Sequence, residues 1–380
     1  MKYFISLVLL FSQLSLAKND AHLNLLIKDA CNKNIVILGE EGNHGGGQAI
    51  LLKTQIIEKL IQECHFTSIY FESGFYDFID FNHSIDNKVA TRNQLANSIG
   101  GIWSFTQEMD GLIKYLFKKA QSRKVKLAGL DLQFGITNTY AQKQLPKDMT
   151  SFLKKDKVLC EKKISQHINW QYTDKKPFNG AEKVQLNKCA IQISSSLEKQ
   201  NQSKKIEELK QLTANFIQYL AMLDGNNFNI RDKQMFDNVL WLNKQQSKHE
   251  KIIIWTANIH ALKSVDQIST KIKPMGVYIA TSFKDQSFAL GISAQSGQYY
   301  NRFKAGNAEI TNQDLQSLEA QIQSSDDCFY LNPNKLQSLS AISSIVLDYE
   351  NPKKADWSKM FDGILVINKE KPVHKINLQQ

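Results

Sequence analysis

Proline and cysteine are scarce in this chain of 380 residues, at six and five, and apolar residues form no long run. Roughly 20 consecutive apolar residues are needed to cross a bilayer as a helix, so a polytopic membrane protein is excluded. The spacings GxxxxGK[ST] and GxGxxG are both absent, which removes the two usual phosphate-cradling loops. No HExxH offers a zinc site on one helix, and no GxSxG supplies a nucleophile elbow; Ser73-Gly74 lacks the preceding glycine. Arginine-rich tracts are missing too. The net charge of +10 comes mostly from scattered lysines, which read as solvated surface rather than as a nucleic-acid footprint. With 42% hydrophobic and 22% charged residues and a mean hydropathy of −0.36, the sequence describes a globular protein of one large domain or two smaller ones.

The N-terminus is different in kind. Lys2 precedes an apolar run from Phe4 to Phe11, and Ser15-Leu16-Ala17 puts small residues where a signal peptidase reads them. Residues 1–17 are expected to be a cleaved signal peptide, which makes the mature chain periplasmic or secreted, with no stable membrane insertion after cleavage. An oxidising exterior permits disulfides. Of Cys31, Cys64, Cys160, Cys189 and Cys328, Cys160 and Cys189 bracket one segment and form the best candidate pair, one must stay free or pair elsewhere, and buried free thiols are the plain reading for most of the five.

Short apolar runs alternate with helical periodicity, which predicts an α/β fold with a mainly parallel sheet and flanking helices. The strand candidates are 35–38, 68–71, 125–130, 252–255, 277–280, 288–292 and 364–367. Helices are expected from about Gln48 to Glu63 and through Leu112 and Leu116 toward Lys124. Between about 137 and 245 no strand-like run occurs, and Ile206, Leu209, Phe216, Leu220 and Leu223 form a helical stripe, so this segment reads as a helical insertion in a single domain 18–380.

The chemistry lies where polar residues fall relative to the strands. Glu40 and Glu41 follow the first strand with His44 in the turn, Glu72 ends the second, Asp131 ends the third, and Asn258 and His260 follow the fourth. Parallel strands share one carboxyl edge, where ligands bind. The turn Gly39-Glu40-Glu41-Gly42-Asn43-His44-Gly45-Gly46-Gly47 leads into a helix N-terminus and is a natural place for an anion or oxyanion. A histidine oriented by a carboxylate and acting as general base on water is the economical reading, with no cofactor. A metal held by His44, His260 and Glu72 or Asp131 is the alternative. His22, His65, His83, His167, His249 and His374 have no comparable context; Phe75, Phe78 and Phe81 either line a cleft or fill a core, and Trp103 and Trp241 share that ambiguity.

Four stretches in the same order resemble the erythromycin esterase family. They are the 35–47 segment followed by Ile69-Tyr70-Phe71-Glu72; Leu127-Ala128-Gly129-Leu130-Asp131-Leu132-Gln133; Ile230-Arg231-Asp232 with Met235 and Asn238; and Ile253-Ile254-Trp255-Thr256-Ala257-Asn258-Ile259-His260. Phe361-Asp362-Gly363-Ile364 is a weaker echo. The resemblance implies hydrolysis of a small-molecule ester or macrolactone by an activated water, with His44 as base, Glu40 or Glu41 orienting it, His260 assisting, Glu72, Asp131, Arg231 and Asn258 shaping the substrate pocket, and a contribution to macrolide resistance. The chain departs from the family pattern twice. Only Glu41 keeps the usual three-residue interval to His44, and Ala257 stands where the family has the first histidine of His-Asn-x-His. Loss of that histidine leaves open a non-catalytic small-ligand or haem-binding protein on the same fold.

Overall fold

The computed structural model describes residues 21–376 save 136, 138, 171–179, 224, 226, 246–249, 312–313 and 325. The expected leader 1–17 and His249 lie outside the described residues. β1 (Ile35–Leu38), β2 (Ser68–Gly74), β3 (Lys126–Asp131), β4 (Ile252–Trp255), β5 (Ser287–Asn301), β6 (Gly306–Glu309), β7 (Cys328–Leu331) and β10 (Gly363–Glu370) form an eight-stranded sheet, while β8 (Ala341–Ser344) and β9 (Lys353–Asp356) make a separate hairpin. The main path runs β3-β2-β4-β1-β5-β10-β7; its first six strands are mutually parallel, and β7 is an antiparallel edge.

Alternation along the central strands fills both faces of the sheet. Val36, Leu38, Phe71, Ile253 and Trp255 join a core with the helices Gly47–Cys64 and Gln107–Gln121 and the helical residues 21–31. Ile35, Ile37, Ile252 and Ile254 point the other way, onto Met235 and Val239 of the helix Asn227–Lys244. Every described element between β3 and β4 is helical. These helices bury a third core around Leu186, Leu209 and Phe216 that also takes in Phe75.

One expected strand is a helix. Residues 277–280 lie within the helix Met275–Phe283, which starts after Pro274 and buries Met275 and Ile279, one turn apart on the same face. A short apolar run carries no periodicity of its own, and here the i, i+4 pair decides. The cysteines pair more fully than expected: Cys160–Cys189 forms a disulfide, but so does Cys31–Cys64, and only Cys328 remains a buried free thiol. Among the described residues no helix is long and apolar enough to cross a membrane.

Candidate active site

β3, β2, β4 and β1 are neighbours in that order and parallel, so their carboxyl ends deliver Asp131, Glu72, the 256–260 turn and the 39–47 turn to one edge. The last of these is tightly built. Tyr300 N–H and Val373 N–H both donate to the Gly45 carbonyl, and a Cβ at Gly45 would meet the Tyr300 carbonyl oxygen at 1.9 Å, so no other residue fits there. His44 just before it takes a left-handed φ of 56°. This places its Nδ1 2.9 Å from Glu40 Oε1.

The two glutamates separate cleanly. Glu40 is 2% exposed, and its Oε1 also accepts from Trp103 Nε1 at 2.6 Å and Trp255 Nε1 at 3.2 Å. Beneath it lies Lys53, fully buried, with Nζ 3.6 Å from Glu40 Oε1 and 3.8 Å from the Trp255 ring centroid. Burial alone would raise the Glu40 carboxyl, but Lys53 and the bonds from His44 and Trp103 hold it below its usual value. Glu41 instead turns back to accept from the Asn43 backbone and side-chain amides, both at 2.9 Å, and burial pushes its carboxyl up. The residue with the familiar interval therefore shapes the turn, and the one four residues away orients the histidine.

A second cluster centres on Arg231. Its guanidinium grips Asp131 through Nε and Nη2 and Glu72 through Nη2 at 2.7 Å. Behind it His260 Nδ1 meets both oxygens of Asp232 at 2.8 and 2.9 Å, and His260 Nε2 lies 3.3 Å from Glu72 Oε1. Arg231 Nη1 is 3.0 Å from the same Nε2. A guanidinium only donates, so that contact alone would favour a neutral ring; yet Glu72, Asp131 and Asp232 outnumber Arg231 by two charges, and protonating His260 halves that excess. We assign the imidazolium, with Nε2–H and Arg231 converging on Glu72. Burial lowers the ring's proton affinity, but Glu72 and Asp232 overcome it and lift the ring to about 10. Burial pushes Glu72 up; His260 and Arg231 more than offset that and hold it well below the carboxylate range. Glu72 Oε2 is taken by Thr256 Oγ1 and the Ala257 N–H, both at 2.8 Å.

The two clusters share a cavity of about 560 Å³, with His44, Trp103, Glu72, Asp131 and Arg231 in its wall. No described residue bonds to His44 Nε2. Arg231 fills the space between the carboxylates that a cation would need, and among the described residues no group of three His, Cys, Asp or Glu side chains is arranged to hold a metal ion.

The sequence profile of the family described as Erythromycin esterase matches residues 61–369. The chain belongs to this family. A putative hydrolase, YbfO of Bacillus subtilis (strain 168), is 24% identical over 305 residues, covering 72% of this chain and 68% of the relative; an erythromycin esterase type II of Escherichia coli is 22% identical over 376 residues, covering 88% and 89%. In three dimensions the chain is similar to a Bacillus cereus protein with a TM-score of 0.73 and 21% identity over 93% of each chain. It is also similar to a mutant of the erythromycin esterase EreC in its open conformation, at TM-score 0.63, 16% identity and coverage of 94% and 95%. Membership supports hydrolase function on a small molecule. The matched span begins after His44, so the roles of Glu40 and His44 rest on their geometry.

Several expected members of this family site fall elsewhere. His260 does not line the cavity and acts on it only through Glu72 and Arg231. Asn258 is fully buried: its amide donates to the Ile292 and Val346 carbonyls and accepts from Ile292 N–H, which pins the 256–260 turn instead of meeting a substrate. The helix N-terminus after the glycine-rich turn is not open to an anion, because Glu370 Oε1 already accepts from Gln48 N–H at 2.7 Å. Phe75, Phe78 and Phe81 are core residues, and Trp241 packs on Phe75, whereas Trp103 lines the cavity. None of His22, His65, His83, His167 or His374 reaches it. Lys53 was missed, although Ile50, Lys53, Ile57 and Leu60 share one helical face, and a lysine on an apolar stripe is a signal.

Proposed function

We propose that the chain hydrolyses a small-molecule ester or lactone with a water activated by His44, and that it does so after export. The supporting observation is the Glu40–His44 pair: an ionised carboxylate holds the proton on Nδ1, which leaves Nε2 as the basic nitrogen of a ring that lines a cavity together with Arg231. Water oxygen adds to the carbonyl carbon while His44 Nε2 takes its proton. Arg231 balances charge on the tetrahedral oxyanion, and the C–O bond then breaks as His44 returns the proton to the leaving alkoxide. His260 keeps Glu72 and Arg231 in place as an imidazolium. Export is supported by the leader-like residues 1–17 and by two disulfides.

Purified residues 18–380 assayed on activated esters and macrolide lactones, beside His44→Ala and with a chelator in parallel, test the reaction. Turnover lost in His44→Ala and indifferent to chelator is the expected result; full activity in His44→Ala overturns it. A role in macrolide resistance requires that expression of the full chain with its leader raise the inhibitory concentration of the drug, and unchanged susceptibility removes that role.

A further inference from the structure

The four arginines of the chain are Arg92, Arg123, Arg231 and Arg302, and two of them line the cavity. Arg231 is ion-paired with Glu72 and Asp131, the two carboxylates of the cavity wall, and is the cation assigned to the ester carbonyl. Arg302 is not so paired. It is exposed, sits in the turn between β5 and β6, and has no carboxylate within 4 Å among the described residues. Lys375, also exposed and lining the cavity, stands with Nζ 3.6 Å from the Tyr300 ring centroid and likewise has no described carboxylate partner.

Both cations are carried on ordered backbone. Asn301, 4% exposed, uses Oδ1 to accept from the N–H groups of Phe303 and Lys304, each at 3.0 Å, and so fixes the turn that presents Arg302. The other cation of that turn, Lys304, is paired with Glu350 at 2.8 Å. Lys375 is set by a β-bridge to Thr106, flanked by Gln107 N–H on the His374 carbonyl and Ile376 N–H on the Phe105 carbonyl. The neighbouring acid Glu108 is engaged by His374 at 2.7 Å. Around the mouth, Glu350 and Glu108 are engaged by Lys304 and His374, whereas Arg302 and Lys375 hold no carboxylate at ion-pair distance among the described residues; Glu72 and Glu41 act on Arg302 only at longer range.

We propose that the substrate is an anionic ester, one whose carboxylate or phosphate-like group is held by Arg302 and Lys375 while the ester carbonyl lies at His44. This rests on the esterase reading and narrows it: esters bearing a basic amine, amine-bearing macrolides included, are the disfavoured members of the panel. Unpaired cations at the mouth of a low-dielectric cleft raise the local concentration of an anion and speed its entry, and salt suppresses the effect.

The test compares p-nitrophenyl esters of equal length: hexanoate as the neutral acyl group, the adipate monoester as the carboxylate, its phosphonate-terminated counterpart, and a trimethylammonium-terminated hexanoate. The anionic esters are expected to exceed the neutral one in kcat/KM by about tenfold at low salt, with the cationic ester lowest and the spread shrinking as salt rises. The carboxylate and phosphonate arms tell which anion is preferred. In Arg302→Gln/Lys375→Gln, checked for an unchanged Tm, the anionic-to-neutral ratio should fall to near one. A wild-type ratio of one or less, or a double variant that keeps the wild-type ratio, overturns the proposal. If wild type cleaves none of the esters, the esterase reading has failed, and calorimetric titration with hexanoate against hexanol decides the charge preference separately: salt-sensitive binding of the anion lost in the double variant sustains it, and equal or absent binding refutes it.

Discussion

Glu40 Oε1 receives three donors at once, His44 Nδ1 at 2.9 Å, Trp103 Nε1 at 2.6 Å and Trp255 Nε1 at 3.2 Å, and is ion-paired with Lys53 Nζ at 3.6 Å. One carboxylate oxygen thus fixes a catalytic tautomer, a cavity wall and a buried cation together. Glu40→Gln keeps an acceptor for the imidazole but not its charge, and an uncharged neighbour stabilises a developing imidazolium less. We expect kcat to fall by about 10²-fold, within the range typical for general acid–base assistance. Glu41→Gln should change it by no more than about twofold, because the Glu41 carboxylate serves Asn43 alone. Steady-state kinetics on the two variants decide between the glutamates, and equal losses would refute this division of labour.

Lys53 sets the charge state of that pair. Burial brings its ammonium down to about 8 against the pull of Glu40 and Glu72. A lysine whose folded value is depressed binds fewer protons when folded, so its penalty on stability eases as pH rises from 8 toward the ordinary 10.5. Activity should move the opposite way. Neutral Lys53 leaves Glu40 ionised but strips its counter-charge and disturbs the Glu40–His44 pair, which predicts an alkaline limb in kcat near pH 8. In Lys53→Met that limb should vanish and the acid limb should move up, as Glu40 loses its counter-charge. Superimposable pH profiles would rule Lys53 out as the positioning charge.

Much of this site could be read from the order of residues, and the reasons are geometric. Residues immediately after parallel strands must share an edge, so the order of residues alone brings Glu40, Glu72, Asp131 and the 256–260 turn together. Arg231 was legible only through its resemblance to the family pattern, since nothing in helical periodicity says that a guanidinium will reach back to β3. Side-chain direction was not legible: Glu40 and Glu41 are adjacent and equally acidic, and only the positive φ of His44 selects the first. Groups delivered from far along the chain were invisible, because Arg302, Glu370 and Lys375 reach the site through the β5–β6 turn and the segment ending β10. Val277 to Ala280 failed for a different reason, that four apolar residues fit a strand or one helical turn equally well.

The Arg231 cluster should tolerate no loss of its fork. Arg231→Lys keeps the charge but cannot hold Asp131 through two nitrogens while also reaching Glu72. The buried carboxylates then lie partly unpaired, a situation worth about 3–5 kcal/mol when a buried pair is broken outright, so a stability loss of about 2–3 kcal/mol is expected for the lysine. Activity should fall by at least tenfold, as the cavity loses its positioned cation. Denaturant titration and kinetics on one preparation check both; a variant as stable as wild type would show that the fork contributes only geometry.

Glu370 gives a pH dependence of the opposite origin. It is 1% exposed, caps the Gly47–Cys64 helix through Gln48 N–H, and its Oε2 is buried with no partner among the described residues. Burial raises its carboxyl from 4.5 to about 7, against the bonds from Lys371, Gln48 and Ala49. The folded state therefore binds this proton more tightly than the unfolded chain. The contribution is fully present below pH 4.5 and is lost as pH rises through 7. A shift of that size corresponds to about 3 kcal/mol at most, and solvent relaxation will reduce it. Glu370→Gln preserves an acceptor for the helix end and carries no charge, so it should match wild type at pH 5 and exceed it by about 1–3 kcal/mol at pH 8. Unfolding by denaturant at both pH values, with the disulfides intact, measures the difference. A variant less stable than wild type at pH 8 would mean that the ionised carboxylate is needed at the helix N-terminus, where it would favour the positive end of the helix dipole.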